Sequence, residues 1–309
     1  MRKALLLYNP LSGRRHGRRV NEVESAQAVL RTGGVEATSL ATAGPSDASP
    51  QVKQAIREGC DTVFACGGDG TVHDVVQGLV GSDAALGVIP LGTANSLAND
   101  LGLPLSPIGA ARAALTAKPR RISVGQVVYR DFQGGKSARY FTVTAGVGVD
   151  AHLFYKLNPL AKRHLGMAAY YAKATRLWLT HQMEKFVVEL EGESSRSTEV
   201  SQLLAVRIRY FGGVLRELAP GASLDRNDLR LVMFHTRSRA AYLGYILRGL
   251  LGVNWQVPGI ELVHASGVNC RPTGEASRIF VEADGELLGT LPAVVSVVPD
   301  ALTILAPVG

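Results

Sequence analysis

Three cysteines in 309 residues, Cys60, Cys66 and Cys270, are too few and too scattered for a disulfide framework, and none forms a CxxC pair of the kind that marks a zinc site. Long apolar runs are also missing. The longest, Ala84 to Leu91, falls far short of the ~20 residues that cross a bilayer. The apolar stretch Ala4 to Tyr8 behind Met1-Arg2-Lys3 is too short for a signal sequence and runs straight into Asn9-Pro10. A cytoplasmic protein is therefore expected. Acidic residues are in short supply, 26 against 33 basic ones, leaving a net charge of +7. That surplus suits anionic partners such as nucleotides and acidic lipid headgroups. No basic motif is interleaved with aromatics, so nucleic acid is not an expected partner. With 46% hydrophobic and 19% charged residues, the chain is globular and long enough for two cores.

The most informative stretch is Val63 to Leu79. An apolar β-run, Val63-Phe64-Ala65-Cys66, enters Gly67-Gly68-Asp69-Gly70-Thr71, and Val72, Val75, Val76 and Leu79 then follow at helical spacing. Glycines at a strand–helix junction let the backbone approach a ligand closely, and the helix start offers N–H groups and a positive dipole end to phosphate. Asp69 is out of place among phosphates unless a divalent cation lies between them. The stretch thus points to a metal–nucleotide complex. A tight βα turn with Thr71 as N-cap and Asp74 completing an acidic capping box explains the same residues, and the two readings are compatible.

Strand and helix alternate through the first 121 residues, as in a parallel doubly wound sheet. Ala4 to Tyr8, Val35 to Leu40 and Leu86 to Ile89 read as further strands, and Val20 to Leu30 and Pro50 to Glu58 as helices. Turn clusters close each strand. Asn9-Pro10-Leu11-Ser12-Gly13 follows the first, with Arg14, Arg15, His16, Arg18 and Arg19 behind it; Pro90 to Asn95, containing Gly92, Thr93 and Asn95, follows the fourth. Loops at the carboxyl ends of strands in such sheets converge on one crevice. Thr93 could donate to a phosphate, and Asn95 could hold a ligand or the facing loop. The arginines fit a phosphate loop and a solvated helix start equally well.

From Arg121 onward the pattern changes to short β-runs with polar turns, an antiparallel domain of two packed sheets, interrupted by a long helix over Leu160 to Leu179. Turns are expected at Gln133-Gly134-Gly135 and Gly192-Glu193-Ser194. Thr144 to Asp150 is glycine-rich and suited to close backbone contact. Ile279 to Glu286 brings two carboxylates, Asp284 and Glu286, across Gly285. An Asp-Gly hairpin turn accounts for Asp284, but no turn role accounts for Glu286. Such a pair can share metal binding and proton abstraction from a hydroxyl.

Taken in order, Asn9 to Gly13, Gly67 to Thr71, Pro90 to Asn95, Ala219-Pro220 and Asp284-Gly285-Glu286 resemble the diacylglycerol kinase catalytic domain family, which includes YegS-like lipid kinases and sphingosine kinases. The resemblance covers essentially the whole chain. It implies an ATP- and Mg2+-dependent lipid kinase with an α/β N-terminal domain (residues 1–121), an antiparallel β-sandwich C-terminal domain (122–300) and an active-site cleft between them, with residues 301–309 returning to the first domain. By the same resemblance Asn9, Pro10, Ser12, Gly13, Thr42, Gly68, Asp69, Gly70, Thr71 and Thr93 would contact nucleotide, and Glu286 would accept the proton beside Asp284. Gly67, Gly92 and Asn95 complete the expected nucleotide site, and Asp69 would orient the metal. The family's Asp-Gly for a structural magnesium is replaced by Arg226-Asn227, so Asp225 or Asp228 would have to substitute. His73 and Ser96 also depart from common family residues. Expected partners are ATP, a lipid acceptor and, transiently, an anionic membrane surface at the inner face; a homodimer is compatible with the sequence. An NAD kinase, which shares the Gly-Gly-Asp-Gly-Thr turn, and a non-catalytic nucleotide or lipid sensor are the alternatives.

Overall fold

The computed structural model describes residues 1–10, 16–42, 44–149, 183–191, 196–212, 217–253, 255–274 and 278–307. Ser12, Gly13, Asp150, the expected helix over Leu160 to Leu179 and the expected turn at Gly192 to Ser194 lie outside these residues. The chain divides into two compact units. Unit 1 comprises Met1–Val124, Tyr210–Leu215 and Val298–Gly309; unit 2 comprises Gly125–Arg209 and Arg216–Val297.

Unit 1 alternates β1 (Lys3–Tyr8), α1 (His16–Thr32), β2 (Glu36–Ala41), α2 (Pro45–Arg57), β3 (Thr62–Gly67), α3 (Asp69–Leu79), β4 (Ala85–Pro90), α4 (Ser96–Asp100) and α5 (Pro107–Thr116). β1 pairs in parallel with both β2 and β3, and β3 with β4. The first strand in sequence is thus interior in space, and connections leave it in opposite directions. Right-handed crossovers then place α1 and α2 on opposite faces of the sheet. On one face Val23, Ala26 and Leu30 of α1 and Ala110, Ala111 and Ala114 of α5 share a buried cluster with Ala4, Leu6 and Phe64. α3 presents Val72, Val75, Val76 and Leu79 inward, as their spacing requires. It begins earlier than Thr71, however. Gly68 is the cap residue, extended at φ −94°, ψ −166°, and no side chain caps the helix. The Thr71 side chain instead folds back over Gly67, where an added Cβ would lie 2.1 Å from its hydroxyl oxygen. The capping-box reading is corrected accordingly.

Unit 2 contains the end of β5 (Lys118–Arg130), then β6 (Lys136–Phe141), β7 (Thr144–Gly148), β8 (Phe186–Glu191), β9 (Ser197–Val200), β10 (Gln202–Val206), β11 (Leu229–Phe234), α6 (Arg239–Leu251), β12 (Ile260–Ala265), β13 (Gly267–Pro272), β14 (Phe280–Ala283) and the start of β15 (Glu286–Ala306). The pairing is antiparallel, in the order β12-β11-β10-β7-β14 on one side and β9-β8-β13 on the other. Leu203, Leu229, Leu231 and Val281 from the first group pack in one core with Phe186, Val188 and Val268 from the second, which makes a sandwich. The expected hairpin at residues 133–135 joins β5 to β6; the Asp131 carboxylate accepts the Gln133 and Gly135 N–H groups at 3.0 and 2.8 Å.

The last part of β15 adds a strand beside β4 in parallel, Thr303 opposite Ala85 and Ile304 opposite Leu86. Ile304 is fully buried. Ile304→Ala should therefore lower unfolding stability by about 2–4 kcal/mol, the transfer and cavity cost of a core aliphatic. A shift of the urea midpoint equivalent to less than ~1 kcal/mol would show that this strand is peripheral to the unit 1 core.

Candidate active site

Because β1 lies between β2 and β3, the sheet of unit 1 has a switch point where connections diverge at the strands' carboxyl ends, the usual ligand position in such sheets. Asn9 and Pro10 leave β1 there, Thr42 leaves β2, Gly68 to Thr71 leave β3, and Leu91 to Asn95 leave β4. Thr42 is buried, its N–H bonded to the Tyr8 carbonyl at 2.8 Å. Thr93 is exposed, and Asp69, Gly70 and Thr71 are half-buried.

The two glycine loops touch through their backbones. The Leu91 N–H bonds to the Gly67 carbonyl at 2.8 Å. A Cβ on Gly92 would sit 2.4 Å from the Gly68 Cα, closer than nonbonded carbons can approach. Asp69 completes the junction. Its carboxylate accepts the Asn95 N–H at 3.1 Å and the Ser96 N–H at 2.6 Å. These are N–H groups at the start of α4, where a carboxylate is favoured by both hydrogen bonding and the helix dipole. Asn95, in the left-handed conformation at φ 50°, spends its side chain on Gly92: the Gly92 N–H donates to Oδ1 at 2.8 Å, and Nδ2 donates to the Gly92 carbonyl at 3.1 Å. It holds its own loop, not the facing one. Asp69 holds the facing loop.

Two site residues escape a sequence reading. Arg19, in the first turns of α1, is 2% exposed and donates from Nη2 to the Leu91 carbonyl at 2.9 Å, so it fastens α1 to the end of β4. Burial lowers its pKa, against the raising effect of Glu22 and Cys66. Asp100, at the end of α4, accepts the Tyr210 N–H at 2.9 Å, and Gly212 lies against Asn99, where a Cβ would meet Nδ2 at 2.3 Å. No local pattern links positions 100 and 210. Gly212 itself has a positive φ of 79°.

In unit 2, Ala283 pairs with Glu286 across a two-residue loop, with Asp284 at φ 49° and Gly285 at φ 83°, the signature of a type I′ Asp-Gly turn. The Asp284 carboxylate is 9% exposed and accepts three backbone N–H groups, from Thr142 at 3.0 Å, Val143 at 2.9 Å and Thr144 at 3.0 Å. It binds the turn to the β6–β7 connection. Glu282, buried beside it, accepts the Gly285 N–H at 2.9 Å. Glu286 is exposed at the turn's edge. Of the two expected carboxylates, Asp284 is committed to holding backbone and Glu286 is presented outward.

The residues expected to hold a structural metal do not fit one. Arg226 pairs with both carboxylate oxygens of Asp228, and His264 Nδ1 approaches the same carboxylate at 3.2 Å. Burial alone would raise the Asp228 pKa, but the Arg226 hydrogen bond and the His264 charge outweigh it and hold the group below the usual carboxylate range. Arg207, fully buried, donates to the carbonyls of Leu224, Arg226 and Asp228. Burial pushes its pKa down to about 10, so it remains a cation at neutral pH. A guanidinium thus gathers the loop carbonyls that a hard metal ion would otherwise take. Among the described residues no group of three or more His, Cys, Asp or Glu side chains could hold a metal ion.

Comparisons with known proteins agree with this layout. Residues 3–127 match the diacylglycerol kinase catalytic domain, and residues 143–306 match the YegS C-terminal NAD kinase beta sandwich-like domain. A diacylglycerol kinase of Mycobacterium tuberculosis is 30% identical over 306 residues, covering 99% of this chain and 95% of its own. One from Bacillus subtilis is 30% identical over 297 residues, covering 94% and 92%. Among solved structures, a diacylglycerol kinase from Bacillus anthracis superposes with a TM-score of 0.73 at 21% identity over 98% of this chain and 96% of that one. Yeast NADH kinase superposes with a TM-score of 0.53 at 10% identity over 100% of this chain and 84% of that one, a likeness of fold alone.

Two outcomes follow from the carboxylate and guanidinium anchors. Asp284→Asn turns one N–H acceptor into a donor and should cost about 1–3 kcal/mol in denaturant unfolding; an unchanged midpoint would mean that the three N–H bonds carry no net stability. Asp228, with its pKa depressed in the folded protein, should contribute stability that is present above its unfolded value and lost as pH falls through the lower folded value. Asp228→Asn should accordingly flatten the acid limb of the stability–pH profile, while a chelator leaves the melting temperature of the wild type unchanged.

Proposed function

We propose that this chain, which belongs to the diacylglycerol kinase catalytic domain family, is a kinase that transfers the γ-phosphoryl group of ATP to the hydroxyl of a lipid acceptor. The observation that carries the reading is the glycine turn after β3. Its helix start carries no side-chain cap among the described residues, and Gly68 and Gly92 keep side chains out of the space around it, a helix start being a favourable place for phosphate oxygens. Asn9, Pro10, Ser12, Gly13, Thr42 and Thr93 are proposed to complete the nucleotide contacts. Phosphoryl transfer depends on positioning and charge neutralisation more than on covalent chemistry. Mg2+ carried with ATP would supply that neutralisation, with Asp69 facing it.

Glu286 is the proposed general base. A base must be able to reach a substrate hydroxyl, and Glu286 is exposed while the Asp284 oxygens are engaged by backbone N–H groups. Asp284 is then a positioning residue that sets the turn on which Glu286 stands. The lipid is proposed only as a class, diacylglycerol-like or sphingoid-base-like. The likeness of fold to yeast NADH kinase keeps a pyridine nucleotide as the competing acceptor.

Incubating the protein with labelled ATP and detergent-dispersed diacylglycerols, sphingoid bases and NAD(H) discriminates these. Label should enter a lipid and leave NAD(H) untouched; label in NAD(H) alone would overturn the lipid assignment. Glu286→Gln should lose about 10²-fold or more in kcat, with ATP affinity within about twofold of wild type. A fully active Glu286→Gln enzyme would move the base elsewhere.

A further inference from the structure

Helix α6 is built inside out. Its inward face carries Tyr242, Tyr245 and Arg248, all 6% exposed or less. The Tyr242 ring packs on Phe234 with centroids 4.4 Å apart, and its hydroxyl lies 2.9 Å from Ser201 Oγ. The Tyr245 hydroxyl donates to the Leu218 carbonyl at 2.6 Å, and the Arg248 guanidinium stacks 4.9 Å from the Tyr245 ring centroid. These bonds fix the rotation of the helix. The aliphatic residues are consequently held outward: Leu243, Ile246, Leu247 and Leu250 are 47%, 45%, 50% and 37% exposed. Their i, i+3, i+4, i+7 spacing makes one continuous stripe. Trp255, 42% exposed, stands just past the C-terminal end of the helix.

An exposed apolar patch of this kind marks an interaction surface, and the charge around it selects the partner. No Asp or Glu occurs from His235 to Gly259, whereas Arg237 and Arg239 stand exposed at the start of the helix. Trp255 lines a cavity of about 720 Å³ whose charged lining residues are Arg230, Arg248 and Glu261. The chain as a whole is +7. An aliphatic stripe flanked by arginines and an amphipathic aromatic is the composition of a helix that lies in the headgroup region of an anionic bilayer. A protein partner would be expected to answer the stripe with its own apolar face, without needing the two exposed arginines at the start of the helix.

We propose that α6 and Trp255 form the surface by which this protein docks on an anionic lipid bilayer. The proposal deepens the lipid kinase reading, because an acceptor that resides in a membrane must be met there, but its test does not depend on turnover. The full chain is sedimented with sucrose-loaded vesicles of phosphatidylcholine containing 30% phosphatidylglycerol, an anionic fraction of about that size being enough to give a negative surface potential. Pure phosphatidylcholine vesicles serve as the comparison. Wild type should bind the anionic vesicles at least about tenfold more tightly, and less so as salt is raised. The double variant Ile246→Ser/Leu247→Ser should lose about tenfold or more of that binding, with its melting temperature kept within a few degrees because both side chains already face water. Arg237→Gln/Arg239→Gln should weaken anionic binding alone. Wild type that fails to bind anionic vesicles, or a serine variant that binds as wild type does, overturns the proposal. A serine variant that turns a dimer into a monomer in light scattering without altering vesicle binding assigns the stripe to a second copy and overturns it too. Failure of the kinase reading shows separately, as vesicle binding with no lipid in the panel phosphorylated.

Discussion

The carboxyl end of the unit 1 sheet depends on two backbones meeting where no side chain fits. Gly68 and Gly92 face each other so closely that a single methyl on Gly92 would fall 2.4 Å from the opposing Cα. Bringing the ends of β3 and β4 that near one another places two turns against one space. The Asp69 carboxylate keeps them there by taking the N–H groups of Asn95 and Ser96, the Leu91 N–H bonds to the Gly67 carbonyl, and Arg19 ties the end of β4 to α1. The cradle is therefore preorganised by groups that need not touch a ligand. In a junction built this way the ordering entropy is met on folding and not on binding, as the proposed phosphate site would require.

The same device recurs in unit 2. Asp284 collects three N–H groups of the β6–β7 connection, and Arg207 collects three carbonyls of the loop at residues 224–228. In each case one charged side chain satisfies a cluster of like backbone dipoles that would otherwise be costly to bury. This separates the acidic residues by task. Asp69 and Asp284 fix loops, Asp228 pairs with Arg226, and Glu286 is left at an exposed turn edge.

Much of this was legible in the residues themselves. The Val72, Val75, Val76 and Leu79 spacing announced α3, and Asp284-Gly285 was open to reading as a hairpin turn, because both signals are local. The α/β order of unit 1 and the antiparallel order of unit 2 followed from the change in texture near Arg121. What was illegible depends on distant partners. Arg19 fitted a phosphate loop and a solvated helix start equally well until the fold placed it against the Leu91 carbonyl, 72 residues away. Asp225 and Asp228 were expected at a metal only by resemblance, as substitutes for the family's Asp-Gly, and nothing near them shows that Arg207 would be buried against their loop. The α5 helix, alanine-rich with weak periodicity, gave no pattern to read. Helix α6 misleads in the opposite sense: its aliphatic spacing describes a buried face, yet Tyr242 and Tyr245 win the interior because Phe234, Ser201 and Leu218 offer them rings and hydrogen-bond partners.

The central claim is that the Gly68–Gly92 contact shapes the phosphate cradle. Calorimetric titration of Mg2+–ATP into Gly92→Ala tests it most directly. The account predicts affinity at least about tenfold below wild type, since the added methyl must push the two loops apart, with unit 2 unaffected in its unfolding. Wild-type affinity in Gly92→Ala would contradict it, and would place the nucleotide away from the ends of β3 and β4.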